Sequence, residues 1–546
     1  MSPRHAVARE LERPVFHERG RIGTKPASLP IALIYPNSYY IGMSNMGFQL
    51  VYRLLNALPE VRAERCFLTR EGPIRTVETG STLRAFSCVG FSLSCEQDYG
   101  NVVEILRRAG IPLFSRNRDE RFPLVMGGGV CASLNPEPIA DIFDLFVIGE
   151  GEAVLGPLCE RLIAPGNEKR EGILLSLSSI RGVYVPRLWE PFYDGGGRLL
   201  SVEAREKGIP VPARQWIRDI NGWPALAPVV TDKTEFGNRA MVEVARGCGM
   251  QCRFCVADYA YRPPRVRERK VLIQSVEEGL ARAHDVALLG PSITDCPGIE
   301  EVAEQVVARG GRVSVSSVRA DGLSDRLLQL LARGGLRSLT IAPETPAVYL
   351  QRKLNKSIPG EEIVGVAARA AGAGFKEIKL YYLFGIEGET GNDLRMIAEE
   401  IRAVASRLPV RVSVAPLIPK ARTPLQWAGM PGAAELKERY TLLRKWIAGV
   451  PRVRMSGQSI RGAVAEATLA RGDRRMAGYL GKGRLPRHLQ EEYALRERGR
   501  DEIFPWEHID CGVTRDYLWG EYQKFRRGEL TPACRPGRCR PCGVCG

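Results

Sequence analysis

Residues 246–255 read Arg-Gly-Cys-Gly-Met-Gln-Cys-Arg-Phe-Cys and place Cys248, Cys252 and Cys255 on one short loop, with no fourth cysteine close behind. A structural zinc site wants four protein ligands, and an iron–sulfur cluster wants one cysteine per iron. Three thiolates therefore point to a four-iron cluster with one iron left open to a small molecule. The apolar run 241–245 leads directly into the loop as a strand, which counts against a zinc knuckle or chance cysteines.

Working outward, strand-like runs follow at 286–289, 313–316, 339–342, 378–383 and 412–415, making six with the first. The spacers, such as 271–283 and 394–406, have helical periodicity. Repeated strand–helix units predict an open, partial (β/α)6 barrel. Reacting groups in barrels sit at the carboxyl ends of strands, which makes Gly290-Pro291-Ser292, Ser317-Val318-Arg319, Glu344-Thr345, Leu383-Phe384-Gly385 and Pro416 candidates.

Upstream, runs at 31–35, 66–68, 88–93, 124–126 and 145–148 alternate with helical patterns and predict a flavodoxin/Rossmann-like parallel sheet. Ligands of such α/β sheets bind beyond the carboxyl ends of the strands. Gly127-Gly128-Gly129 and Gly149-Glu150-Gly151-Glu152 fall there. Residues 193–197 read as a hairpin turn, and Pro210, Pro212, Pro224 and Pro228 mark a connector. The expected division is 20–165 for the first domain, 166–238 for the connector, 239–450 for the barrel and 451–546 for a small arginine-rich helical region.

That last region ends in Cys534, Cys539, Cys542 and Cys545, four cysteines within twelve residues. So short a tail orders only around a metal, either a second iron–sulfur cluster or zinc. His508 reads as structural.

The chain has 546 residues, 44% of them hydrophobic, and a formal charge of +16. No apolar run reaches membrane-spanning length, and the first residues lack a signal-peptide core. Seven of fourteen cysteines fall in two metal-like groups, which fits a reducing compartment, so a cytoplasmic protein without a membrane contact is expected. The charge points to RNA or a ribosome-associated substrate. Arg262, Arg265 and Arg267, with Tyr259 and Tyr261, read as a basic and aromatic patch that steers a polyanion or else pairs with Glu268.

The cysteine spacing, with Phe254 before the last cysteine, resembles the radical S-adenosylmethionine (SAM) superfamily. There the methionine end of SAM chelates the open iron of a [4Fe-4S] cluster, and an electron cleaves the sulfonium to leave a 5′-deoxyadenosyl radical. Arg319-Ala320-Asp321-Gly322, Ala342-Pro343-Glu344, Asn355-Lys356 and the 382–386 stretch resemble one fused class of that superfamily. The resemblance implies Glu344 at the SAM ribose and Ser292 and Arg319 at its methionine end. The N-terminal half is similar to the cobalamin-binding domains of that class through Gly127 and Gly128. Its D-x-H-x-x-G loop is replaced by Gly42-Met43-Ser44-Asn45-Met46-Gly47, so Ser44 stands where others carry a histidine ligand, and Ser92 occupies the S-x-L position. This implies cobalamin held without that ligand, or a remnant of the site. The end of the chain, from Trp506 to Cys545, resembles an uncharacterised fused family.

The function expected is a radical enzyme supplied by a flavodoxin- or ferredoxin-like electron donor, with methyl transfer if cobalamin is bound. The alternative is a non-catalytic iron–sulfur protein that binds RNA or transfers electrons.

Overall fold

The computed structural model describes residues 17–545 apart from 165, 167, 317, 484 and 536–540. A short antiparallel pair, β1 (Glu18–Arg19) with β10 (Val230–Thr231), ties the start of the described chain to the connector. The N-terminal sheet comprises β2 (Leu29–Tyr35), β3 (Val61–Phe67), β4 (Cys88–Ser92), β5 (Leu124–Gly128), β6 (Leu145–Val147) and β7 (Val183–Tyr184), in the order β3-β2-β4-β5-β6-β7. All neighbours are parallel except β6–β7. Its strands are apolar runs because both faces are covered, one cluster holding Ile34, Val89 and Val125 and the other Leu33, Met126 and Leu145.

β3 begins five residues before the apolar run visible in the sequence because it carries Glu64 and Arg65 inward. Arg65 is fully buried and lies 2.7 Å from both Glu18 and Glu78. The predicted turn at 193–197 joins β8 (Trp189–Tyr193) and β9 (Leu199–Ala204).

The central region corrects the six-strand count. Seven strands lie in two parallel sheets, one of β11 (Arg239–Glu243), β14 (Asp285–Leu289) and β15 (Val313–Val315), the other of β16 (Ser338–Glu344), β17 (Glu377–Phe384), β18 (Val410–Pro416) and β19 (Val453–Gly457). Between them the Val318 N–H donates to the Thr340 carbonyl at 3.1 Å. β19 lies past residue 450 and alternates apolar with polar residues at a sheet edge, so it offers no apolar run. The outer faces of both sheets pack under helices in one large core.

After β19, helix Ile460–Arg471 bridges the two halves, while helix Arg515–Arg527 packs on the central region. Arg474 donates to Glu137 of the N-terminal domain at 3.0 Å, and Arg422 to the carbonyls of Leu134 and Ile509.

His508 is structural, buried against the rings of Tyr184 and Trp189. Burial, with Arg474 and Arg422 nearby, pushes its imidazole down to about 4 against the pull of Glu137. An unfolded histidine titrates near 6.5, so the unfolded chain takes up this proton first and stability falls as pH drops from 7 toward 4. At pH 5 the contribution is about 2 kcal/mol. His508→Phe is expected to remove that share of the difference between urea midpoints at pH 7.5 and pH 5; an unchanged difference contradicts the assignment.

Candidate active site

The cysteine loop is pinched at its base by an antiparallel pair, β12 (Ala245–Arg246) with β13 (Arg265–Val266). Gly247 has φ +74°, and a Cβ there would run into the Tyr261 carbonyl, so only glycine lets the chain turn into the loop. Cys255 precedes the helix Val256–Ala260, whose first amides, of Ala257 and Asp258, donate to its sulfur. The Met250 amide does the same for Cys248. Even so, burial pushes all three thiols up, Cys248 to about 11. Three half-buried thiols, two of them served by backbone donors, suit ligation to a cationic centre, which keeps them ionised.

Among the described residues, no three His, Cys, Asp or Glu side chains stand close enough to hold a single metal ion. A cluster is less demanding, because each thiolate takes a different iron and the ligands stand farther apart.

Backbone strain concentrates here. Gln251, Glu344 and Asn355 have φ of +60°, +65° and +55°, conformations that non-glycine residues hold only when their surroundings fix them. Asn355 donates to the Gln251 carbonyl at 3.1 Å, and Asp258 accepts from the Gln251 N–H. Arg262 bridges Asp258 and the Gln251 side chain. Glu344 sits at a β-bulge in the β16–β17 pairing.

The candidates Ser292, Arg319 and Glu344 all lie toward this loop. Ser292 donates to Asp295, and Arg319 pairs with Asp321 and lies 3.8 Å from the same Asp295. The charge of Arg319 reaches Cys248 and Cys252. Glu344 is 2.6 Å from Lys356, whose charge acts on Cys252 and Cys255. Lys356, whose charge acts on two of the three cysteines, is not among the candidates read from the sequence. Only the pair Asn355-Lys356 signalled it.

The tail also belongs to this site. The Cys534 N–H donates to the Gly249 carbonyl at 2.6 Å, and Thr531 N–H to Asn355 Oδ1 at 2.8 Å. Cys542 is buried beside Tyr259 and Trp506, with Cys511 in the same apolar cluster, and its carbonyl accepts from Thr514. Cys545 is half-buried. Cys539 lies outside the described residues. Apart from Cys534, the described cysteines are unbridged.

A cavity of about 430 Å³ separates the carboxyl ends of the N-terminal strands from the cysteine loop. Ser92, Gly127 and Gly128 line one wall; Arg246, Ala257 and Tyr261 line the other. An apolar slot continues inward past Leu33, Leu50 and Leu158. Gly129 and Gly149, at φ +104° and +103°, turn the chain at its rim. Ser44 is not in the wall. Its hydroxyl donates to the Tyr40 carbonyl and accepts from the Glu235 N–H, so the helix that starts at Met46 presents Asn45 and Met46 to the cavity instead.

Arg246 fastens the two walls together, 3.3 Å from Glu150, 2.8 Å from Glu152 and 2.9 Å from Glu243. Burial alone raises the Glu243 carboxyl, but Arg246 and Arg267 hold it below its ordinary value. Arg265 and Arg267 are buried against Glu150 and Glu243, and Arg262 against Asp258. The patch expected to steer a polyanion is therefore internal, and Glu268 is not its partner. Its acids lie as far as 115 residues away in sequence.

Residues 242–401 match the radical SAM superfamily, and residues 47–186 match the N-terminal domain of radical SAM proteins. The chain belongs to the radical SAM superfamily. An uncharacterised protein of Methanocaldococcus jannaschii is 27% identical to this radical SAM protein over 464 residues, covering 84% of this chain and 92% of the relative. Among solved structures, it is similar to the radical SAM methyltransferase TsrM of Kitasatospora setae with cobalamin and a [4Fe-4S] cluster bound. That match has 16% identity, a TM-score of 0.49, and covers 70% of this chain and 72% of the other. Another similar structure is the cobalamin-dependent radical enzyme OxsB with aqua-cobalamin bound, at 12% identity and TM-score 0.46, covering 68% and 52%. No described helix is long and apolar enough to cross a membrane.

Proposed function

We propose that this radical SAM protein is a cytoplasmic enzyme that carries out cobalamin-dependent methyl transfer. The observation that carries the reading is the shared wall: the cavity above the N-terminal sheet is closed on its far side by Arg246, Gly247, Ala257 and Tyr261 of the cysteine-loop region.

In this reading Cys248, Cys252 and Cys255 hold a [4Fe-4S] cluster, which when reduced supplies the electron for SAM cleavage. Arg319 holds the SAM carboxylate, Glu344 accepts from the ribose hydroxyls and Ser292 donates at the methionine end. Lys356 keeps Glu344 in place. Cobalamin supplies methyl-transfer chemistry. The apolar slot past Leu50 and Leu158 suits the flat base of its nucleotide tail, and Gly128, where a Cβ would point toward Val147 of the cavity wall, leaves room for the ring; a Cβ at Gly127 would instead run into Phe146. Among the described residues no histidine lines the cavity, so none of its wall residues would offer the cofactor an imidazole. Cys534, Cys542 and Cys545, with Cys539, hold a second iron–sulfur cluster or zinc, and a flavodoxin- or ferredoxin-like protein delivers the electron. RNA was expected as substrate on net charge and on an arginine patch; with that patch buried, charge alone supports it.

The test is retention of cobalamin through gel filtration, read by its absorption. The full chain is expected to keep about one equivalent, and Leu158→Trp, which fills the slot, to lose at least tenfold in affinity with its iron content unchanged. Failure of the unmodified chain to retain cobalamin removes methyl transfer from the reading and leaves radical chemistry standing.

A further inference from the structure

The inner face of the β16–β19 sheet is not spent on packing. Leu339, Ile341, Ile378, Leu380, Val412 and Val414 point to the helices and form the barrel core. Side chains alternate across a strand, so the residues between them face the lumen. They fall in register. Lys379 is opposite Arg411, and Arg411 opposite Arg454. Two residues further along come Tyr381, Ser413 and Ser456, and then Leu383 and Ala415 at the carboxyl ends. Leu383 packs into the apolar cluster that also takes Phe254 of the cysteine loop.

The other half of the lumen is covered, since Met241 and Ala287 lie under Ala227, Phe236 and Met46. This half is open, with Tyr381 45% exposed and the Arg411 side chain 52% exposed. Glu377, 3.0 Å from Arg411, is the one carboxylate paired within the row, leaving cations in excess. Like charges on neighbouring strands repel, and an anion bound among them removes that repulsion.

We propose that this open half is the substrate surface and that the substrate carries a phosphate or carboxylate held by Lys379, Arg411 and Arg454. Its body extends along the strands past the hydroxyls of Tyr381, Ser413 and Ser456. Four residues of parallel strand span about 13 Å, so the end opposite the anion reaches Leu383 and Ala415 beside the cysteine loop. What happens to that end rests on the radical-enzyme reading; binding of the anion does not.

The test uses calorimetric titration of the reconstituted full chain with n-octyl phosphate, octanoate and n-octanol. At least one of the two anions is expected to bind at least tenfold more tightly than the alcohol, and the tighter of the two identifies the group. Lys379→Gln/Arg411→Gln/Arg454→Gln is expected to lose that advantage, and the single edge-strand change Arg454→Gln to lose part of it. Removing three exposed cations elsewhere, Arg107, Arg395 and Arg487, should leave it intact. Anions that bind no better than octanol, or equally well to the unmodified chain and the triple variant, overturn the proposal. Neither readout depends on SAM cleavage, so its failure is separable from failure of the enzyme assignment.

Discussion

Arg246→Gln is expected to lower stability by about 3 kcal/mol, because removing one partner of a buried ion pair leaves charge without compensation. Glu150 keeps Arg265 and Glu243 keeps Arg267, but Glu152 has Arg246 as its one ion-pair partner among the described residues. The loss therefore concentrates on Glu152, at the rim of the cavity. Glu152→Gln in the Arg246→Gln background should recover at least about 1 kcal/mol, which a double-mutant cycle in urea will read. Because Arg246 joins the N-terminal domain to the base of the cysteine loop, cobalamin retention should fall with stability. Strictly additive single changes would show that the pair does not couple the two walls.

Arg253→Met carries a comparable expected loss, about 3–5 kcal/mol. Arg253 lies between two cysteines of the motif and is fully buried. Its guanidinium donates to the carbonyls of Arg352, Lys353 and Glu529 at 3.0, 2.9 and 2.7 Å, and it pairs with Glu521 at 3.1 Å. Methionine fills much of the volume but satisfies none of these acceptors. The contacts to Glu529 and Thr531 hold the tail on the loop, so Cys534 and Cys542 should become reactive to a thiol alkylating reagent in the variant while buried Cys66 and Cys88 stay protected. Arg253→Lys should rescue only part, since one ammonium cannot reach all the acceptors served by a planar fork. Unchanged alkylation would show that the tail is held by other means.

The strands were legible wherever apolar runs are buried on both faces, as in β2, β4 and β14. They were illegible where a strand carries inward charge, as β3 does through Arg65, or alternates at an edge, as β19 does. The cysteine loop announced itself by spacing, because its chemistry is local. Its supports did not: Asn355 meets Thr531 across 176 residues, and Arg265 meets Glu150 across 115. For the same reason Arg262, Arg265 and Arg267 read as a surface patch, since a run of arginines looks alike whether its partners are solvent or distant carboxylates. Ser44 occupied the right place in a motif, yet the local helix start turns Asn45 and Met46 into the cavity instead.

The most direct measurement is 5′-deoxyadenosine released from SAM by the anaerobically reconstituted, reduced chain, compared with Cys255→Ala under identical conditions. Release by the unmodified chain that falls to background in the variant, together with loss of the cluster's absorption, is the predicted result. No release from a chain whose cluster is intact and reduced would contradict it and favour a non-catalytic iron–sulfur protein.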